Sequence, residues 1–125
     1  MAHLEHVNVT VHDADAFASV LVDLFDWQIR WTGASLMTGY SVHVGTDTDY
    51  IALYSPQETL AEGPSTYTTA SGLNHIGVVV DDLSATEARV KAAGFTPRSH
   101  QDYEPGRRFY FDGPEGVEIE VVSYH

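Results

Sequence analysis

The chain contains no cysteine among its 125 residues. Disulfides and thiolate-bound metal sites are therefore excluded, and the reducing cytosol is the expected compartment. Basic residues are also scarce, with six against eighteen acidic ones, which gives a formal net charge of −12. Binding to nucleic acid or to an anionic membrane surface needs clustered positive charge, so neither is an expected partner.

Long apolar runs are missing as well. No stretch approaches the roughly 20 residues needed to span a bilayer, and the opening MAHLEHVNV has no basic region followed by an apolar segment. We therefore expect neither a membrane helix nor a signal peptide. Hydrophobic residues still make up 43% of the sequence, which is typical of a globular chain with a core.

An internal repeat organises the sequence. Leu4 to Ala16 and Leu73 to Ala85, at an offset of 69, share six identities in thirteen aligned positions. Each segment reads as a strand that carries a histidine near its start and then runs into a helix. The helix starts carry good N-cap types, Asp13 or Asp15 in the first copy and Asp82 or Ser84 in the second.

Three strand-like segments follow each helix. They are predicted at Gln28 to Ala34, Tyr40 to Gly45 and Asp49 to Tyr54, and again at Phe95 to Gln101, Arg107 to Phe111 and Val117 to Ser123. The sequence thus predicts an α+β fold in which two tandem βαβββ modules form a curved mixed sheet around a cleft. The modules are residues 1–54 and 73–125, joined by a Ser, Thr, Gly and Pro-rich linker at 55–72 and forming one structural unit.

Alternation along the strands brings polar residues onto one face. His6 and His75 point away from the aliphatic core, and the last strand puts Glu118 and Glu120 on the same side. If the halves curl into a cleft, the imidazoles and a carboxylate converge in the outline of a metal site. Imidazole nitrogen and carboxylate oxygen suit divalent Fe, Mn, Ni, Co or Zn.

Three segments carry a resemblance to a known family: LEHVNVTV, LNHIGVVVDDL and FYFDGPEGVEIEVV. They resemble the vicinal oxygen chelate superfamily, which includes glyoxalase I, extradiol dioxygenases, methylmalonyl-CoA epimerases, fosfomycin-modifying enzymes and bleomycin-resistance proteins. The resemblance covers essentially the whole chain. Its most specific part is the closing motif, in which Gly113 replaces the usual aspartate before Pro114.

The resemblance implies a set of metal ligands: His6 and His75 from the first strand of each module, and Glu120 from the closing motif. The matching position in the first module is Ala52, where glyoxalase I-like members have glutamate. This departure counts against a four-ligand glyoxalase I site. The resemblance also implies a homodimer, since the site in this superfamily often forms between two chains.

Other residues are assigned to the cleft by alternation or resemblance. Tyr50, Tyr54 and Tyr110 either line a substrate pocket or merely fill it, and Tyr110 matches a substrate-side tyrosine of the fosfomycin-modifying group. Arg108 either holds an anionic substrate group or forms a surface ion pair. We expect Glu118 to be a solvated neighbour of Glu120, or a fallback metal ligand if the register of the strand differs. Trp27 and Trp31 are expected to anchor the core or an interface.

Two functions follow as hypotheses. The first is a small metal-dependent enzyme, in which a divalent ion on His6, His75 and Glu120 chelates neighbouring oxygens of a small molecule, with Glu120 and Tyr110 as catalytic residues. Its reaction is left open among lyase or isomerase, thiol transferase and dioxygenase chemistry. The second is a protein of the bleomycin-resistance type, which binds and sequesters a small molecule without turnover.

Overall fold

The structure is a computed structural model that describes residues 1–35, 38–103 and 106–124. The chain divides into two compact units, Met1–Ala61 and Glu62–His125, called unit 1 and unit 2 below. Each unit holds one helix and one four-stranded mixed sheet. The predicted α+β class and the repeated βαβββ order are thereby confirmed. Among the helices that the described residues form, none is long and apolar enough to cross a membrane.

Unit 1 forms its sheet in the order β1-β4-β3-β2. Strand β1 runs parallel to β4, and the other neighbours are antiparallel. The elements are β1 (His6–Thr10), α1 (Ala14–Phe25), β2 (Gln28–Ala34), β3 (Tyr40–Gly45) and β4 (Tyr50–Ser55).

Unit 2 repeats this topology, with the sheet order β5-β8-β7-β6 and β5 parallel to β8. A short 3-10 turn at Pro114–Gly116 joins its last two strands. The elements are β5 (Ile76–Val79), α2 (Leu83–Ala92), β6 (Arg98–Tyr103), β7 (Gly106–Asp112) and β8 (Glu118–Ser123).

The two helices begin in the same way. Asp13 is the N-cap of α1 and Asp82 is the N-cap of α2, and each carboxylate accepts a hydrogen bond of 3.0 Å from the backbone N–H three residues on. These bonds satisfy amide groups that a helix start leaves without intrahelical partners. After α2 the chain leaves the helical direction at Gly94, whose φ of +95° lies in the left-handed region that glycine adopts readily.

Each unit buries the aliphatic and aromatic side chains of alternate strand positions against its helix. In unit 1 the side chains that are at most 1% exposed include Phe17, Leu21, Leu24, Val42, Val44 and Leu53. In unit 2 the corresponding set is Val90, Phe109, Phe111, Ile119 and Val121. Because strand side chains alternate, the residues between them lie on the opposite face of each sheet, which we call the outer face.

Several predicted strand boundaries differ from the structure by one or two residues, and the largest difference is at the start of β6. Strand β6 was expected from Phe95, but it begins at Arg98. Pro97 has no N–H to donate to a ladder, and the Phe95 ring packs instead on Phe111 with 5.6 Å between ring centroids. The strand then carries a bulge, since Arg98 pairs with Tyr110 and Gln101 pairs with Arg108. Within the bulge Ser99 has a φ of 56°, which supplies the extra residue.

The strand registers show which positions of the two units correspond. In unit 1 Asn8 pairs with Ala52, and in unit 2 Gly77 pairs with Glu120. Asn8 and Gly77 are aligned by the sequence repeat, so Ala52 is the counterpart of Glu120. The sequence predicted this correspondence, and the register confirms it.

Candidate functional site

The outer face of unit 2 gathers polar side chains from three strands and the residue just before β5. The imidazole Nε2 of His75 lies 3.1 Å from Oε1 of Glu120. The other carboxylate oxygen of Glu120 accepts a hydrogen bond of 3.0 Å from Nη1 of Arg108. The side chains of Glu120 and Arg108 are only 13% and 16% exposed, so this ion pair is largely shielded from water and is not a surface pair.

Tyr110 completes this group. It pairs with Glu120 across β7 and β8, and its ring meets the His75 ring edge-on at 5.8 Å between centroids. Partial burial and the adjacent negative charge of Glu120 raise the pKa of the Tyr110 phenol. Tyr110 therefore remains protonated at neutral pH and presents a hydrogen-bond donor. We call His75, Arg108, Tyr110 and Glu120 the polar cluster of unit 2.

Glu118 is not the solvated neighbour that the sequence predicted. Its side chain is 10% exposed and accepts a hydrogen bond of 2.7 Å from Nη2 of Arg98. The phenol of Tyr67 also donates to this carboxylate. Although burial opposes it, these hydrogen bonds hold the pKa of Glu118 below its ordinary value. The carboxylate lies 3.6 Å from Nδ1 of His75, so it borders the polar cluster.

Sequence reasoning missed Arg98 and Tyr67 for different reasons. Arg98 reaches Glu118 because the bulge of β6 sets its register against Tyr110, and a bulge leaves little trace in a periodicity pattern. Tyr67 lies in the segment read as a linker and meets Glu118 from 51 residues away along the chain. No local spacing rule detects a contact of that separation.

The outer face of unit 1 carries a series of aromatic rings. Four rings, one from each strand, follow one another in sheet order with 5.0, 4.7 and 4.8 Å between successive centroids. They belong to Trp31, His43, Tyr50 and His6, and we call them the ring stack. Nδ1 of His6 lies 2.8 Å from the Glu5 carboxylate.

The predicted site residues thus fall into two groups. His75, Glu120, Tyr110 and Arg108 lie together on unit 2. Of the remaining residues, His6 and Tyr50 stack on unit 1, and the Tyr54 ring lies over Gly39, where an added Cβ would be 2.5 Å from Cε1. Over the described parts of the chain, neither unit gathers three His, Asp or Glu side chains as a metal ion would require.

The ring stack predicts a pH dependence of stability. Burial, followed by the nearby charges of His6 and Arg30, lowers the pKa of His43 below its ordinary value of 6.5. The unfolded chain then takes up this proton first as the pH falls. The stabilising contribution of His43 is therefore complete above pH 6.5 and is lost as the pH falls from there through the folded-state pKa.

Urea unfolding of the wild type and the His43→Gln variant between pH 7.5 and pH 5 tests this expectation. The wild type should lose more stability across this range than the variant does, because glutamine does not titrate. Equal losses in the two proteins would contradict the assignment.

The comparison with known proteins gives the family. A family model described as the Glyoxalase/Bleomycin resistance protein/Dioxygenase superfamily matches residues 3–121. The chain belongs to this superfamily. The resemblance drawn from the strand and closing motifs is therefore confirmed. No curated protein gives a significant match to the chain.

Solved structures of superfamily members share the fold over nearly their full length. A glyoxylase/bleomycin resistance protein/dioxygenase domain from Frankia sp. EAN1pec is 20% identical, with a TM-score of 0.81 over 100% of this chain and 99% of that one. The antibiotic binding protein TnmS3 from Streptomyces sp. CB03234 is 16% identical, with a TM-score of 0.74 over 100% and 98%. The fosfomycin resistance protein FosX from Mesorhizobium loti is 21% identical, with a TM-score of 0.71 over 98% and 91%. At such identities these likenesses show the fold alone.

Proposed function

We propose that this protein is a metal-dependent enzyme of the superfamily that acts on a small molecule with two neighbouring oxygen atoms. The observation that carries the proposal is the approach of His75 Nε2 to Glu120 Oε1, at 3.1 Å on the outer face of unit 2. These residues would hold a divalent ion, Fe, Mn, Ni, Co or Zn. His6 is the third proposed ligand, by its position in the repeat.

The donor atoms of unit 2 fit such an ion. Two ligands that bind one ion at about 2.0 to 2.2 Å each are about 3 Å apart when they are neighbours in its coordination shell. A neutral imidazole and a carboxylate are ligands that borderline divalent metals accept. Arg108 holds the second oxygen of Glu120, which fixes the direction in which the first oxygen points. A bound ion would act as a Lewis acid on the substrate oxygens.

The remaining residues of the polar cluster supply orientation and protons. Since its pKa is raised, Tyr110 donates a hydrogen bond to a substrate oxygen and stabilises negative charge that develops there. Arg108 holds Glu120 in place, and it adds a positive charge beside an anionic substrate group. Tyr50 and Tyr54 are proposed to contact the substrate from unit 1.

A second function is favoured by Ala52, the counterpart of Glu120. Alanine cannot bind a metal, and at 2% exposure the position has no room for a solvated ligand. A protein that binds and sequesters a small molecule without turnover does not need a full ligand set. The fold shared with an antibiotic binding protein is compatible with this alternative.

Metal analysis of protein purified without a histidine tag separates the two functions. We expect the wild type to take up one divalent ion per chain, and the His75→Ala variant to bind it at least about 10-fold more weakly. The His6→Ala variant tests the third ligand in the same assay. Retained Fe(II) would favour dioxygenase chemistry, Ni or Zn would favour glyoxalase-like isomerisation, and Mn would favour epoxide opening. If the wild type takes up none of these ions, the enzyme proposal fails and sequestration replaces it.

The same proposal includes a homodimer in the cytoplasm with a small molecule as its partner. The homodimer and the substrate rest on membership of the superfamily, and the compartment rests on the lack of cysteine. Sedimentation velocity gives the oligomeric state directly, and a monomer at micromolar concentration would exclude the dimer.

A further inference from the structure

The ring stack of unit 1 is built across the whole sheet. Neighbouring strands are about 4.8 Å apart, which is close to the distance at which upright rings stack. Tyr50 lies nearly parallel to both imidazoles, with interplanar angles of 16° to His6 and 26° to His43. Trp31 ends the series on the edge strand β2 at 49° to His43. The indole of Trp31 is therefore the ring at one end of the series.

The terminal indole is exposed and held in place. Trp31 is 46% exposed, so of the two expected roles, core or interface anchor, the core is excluded. Its six-membered ring lies over Gly33, where an added Cβ would be 2.7 Å from Cζ2. Only a glycine at position 33 allows the indole to lie there. The indole is thus held against the backbone on one side and against His43 on another, and about half of the residue remains exposed to solvent.

A cation lies beside the rings. The guanidinium carbon of Arg30 is 4.4 Å from the centroid of the Tyr50 ring. Arg30 occupies the bulge of β2, between the paired residues Ile29 and Trp31, and a bulge re-aims side chains in this way. A positive charge beside the stack favours the binding of electron-rich aromatic rings.

The fold does not require these rings, because unit 2 builds the same sheet without them. Trp31 pairs with His43 and Arg98 pairs with Tyr110, so the edge position holds an indole in one unit and a guanidinium in the other. In unit 2 Glu118 occupies the position that Tyr50 has in unit 1. Within the part of the chain that the structure describes, a series of rings on every strand is therefore found in unit 1 alone, and it leaves aromatic surface exposed to water.

We propose that the ring stack is a binding surface for planar aromatic molecules, which extend the stack by packing against Trp31. The surface lies within unit 1 and needs no metal ion. Two of its rings, His6 and Tyr50, also belong to the enzyme site proposed above, so the test is made on Trp31, which does not. Stacking of one planar ring on an aromatic side chain is worth about a 10-fold or larger change in affinity.

Nuclear magnetic resonance of the ¹⁵N-labelled protein, in buffer with a chelator, tests the proposal. The chain has two tryptophans, and the Trp27→Phe variant assigns the two indole N–H signals. The probe is 2-naphthol, and its matched control is decahydro-2-naphthol, which has the same carbon framework but is puckered. We expect 2-naphthol to shift the Trp31 signal saturably, with little effect on Trp27, and the saturated alcohol to bind at least about 10-fold more weakly.

Three variants complete the test, and their affinities for 2-naphthol are measured by calorimetry. Trp31→Ala should weaken 2-naphthol binding by at least about 10-fold, and Trp27→Phe should leave it unchanged. Gly33→Ala, which displaces the indole without removing it, should also weaken binding. Equal affinity for the planar and saturated probes, or unchanged affinity in Trp31→Ala, would overturn the proposal. So would a Trp31→Ala protein that changes its oligomeric state but not its affinity, since the surface would then be a contact between copies of the chain.

Discussion

Replacing Glu120 by alanine should lower the free energy of unfolding by about 2 to 3 kcal/mol, measured with a chelator present so that no metal contributes. The carboxylate bridges Arg108 at 3.0 Å and His75 at 3.1 Å. Its removal leaves the guanidinium, which is 16% exposed, without this partner in a place that water reaches poorly. The expected loss is thus mainly the cost of an uncompensated charge.

Urea unfolding followed by far-ultraviolet circular dichroism is the appropriate measurement, because both tryptophans lie in unit 1. Glu58→Ala removes an exposed glutamate and should change stability by less than about 0.5 kcal/mol. The double variant Glu120→Ala with Arg108→Ala should lose much less than the sum of the single losses, since no buried charge is left. Additive losses would show that the two side chains do not stabilise each other.

Replacing Phe109 by alanine is expected to have the largest effect on stability, a loss of about 3 to 5 kcal/mol. The ring is 0% exposed and contacts the Phe111 and His100 rings, with centroids at 6.3 and 5.9 Å. The substitution removes buried aromatic surface and leaves a cavity that the sheet cannot close. The polar cluster lies on the other face of the same sheet, so its geometry depends on this layer.

The same unfolding assay measures this loss, with Val79→Ala as the matched control. Val79 is on the same sheet but is 65% exposed, so its truncation should cost less than about 0.5 kcal/mol. A loss below about 1 kcal/mol for Phe109→Ala would mean that the core of unit 2 is loosely packed.

Much of this architecture is determined by local features of the sequence. The repeat, the capping aspartates Asp13 and Asp82 and the strand alternation predicted both modules. Alternation also placed Tyr110 and Glu120 on one face, and the register then made them cross-strand partners. These features depend on residues that are close in sequence or related by a fixed offset, which periodicity can detect.

The remainder depends on contacts that periodicity does not encode. The burial of Glu118 results from Arg98, set by a bulge, and from Tyr67, which is distant in the chain. The exposure of Trp31 depends on which side of β2 it occupies after its own bulge. In β2 the one inserted residue places Ile29 and Trp31 on opposite faces, whereas simple alternation would place them on the same face.

The two bulges have a further effect on how the protein behaves at high concentration. Each of β2 and β6 is one of the two edge strands of its sheet, opposite β1 and β5 respectively, and a regular edge strand offers a row of unused N–H and C=O groups to other chains. An inserted residue interrupts that row in β2 and in β6. Growth into fibrils through these two edges is thereby discouraged, and repulsion between chains of net charge −12 acts in the same direction.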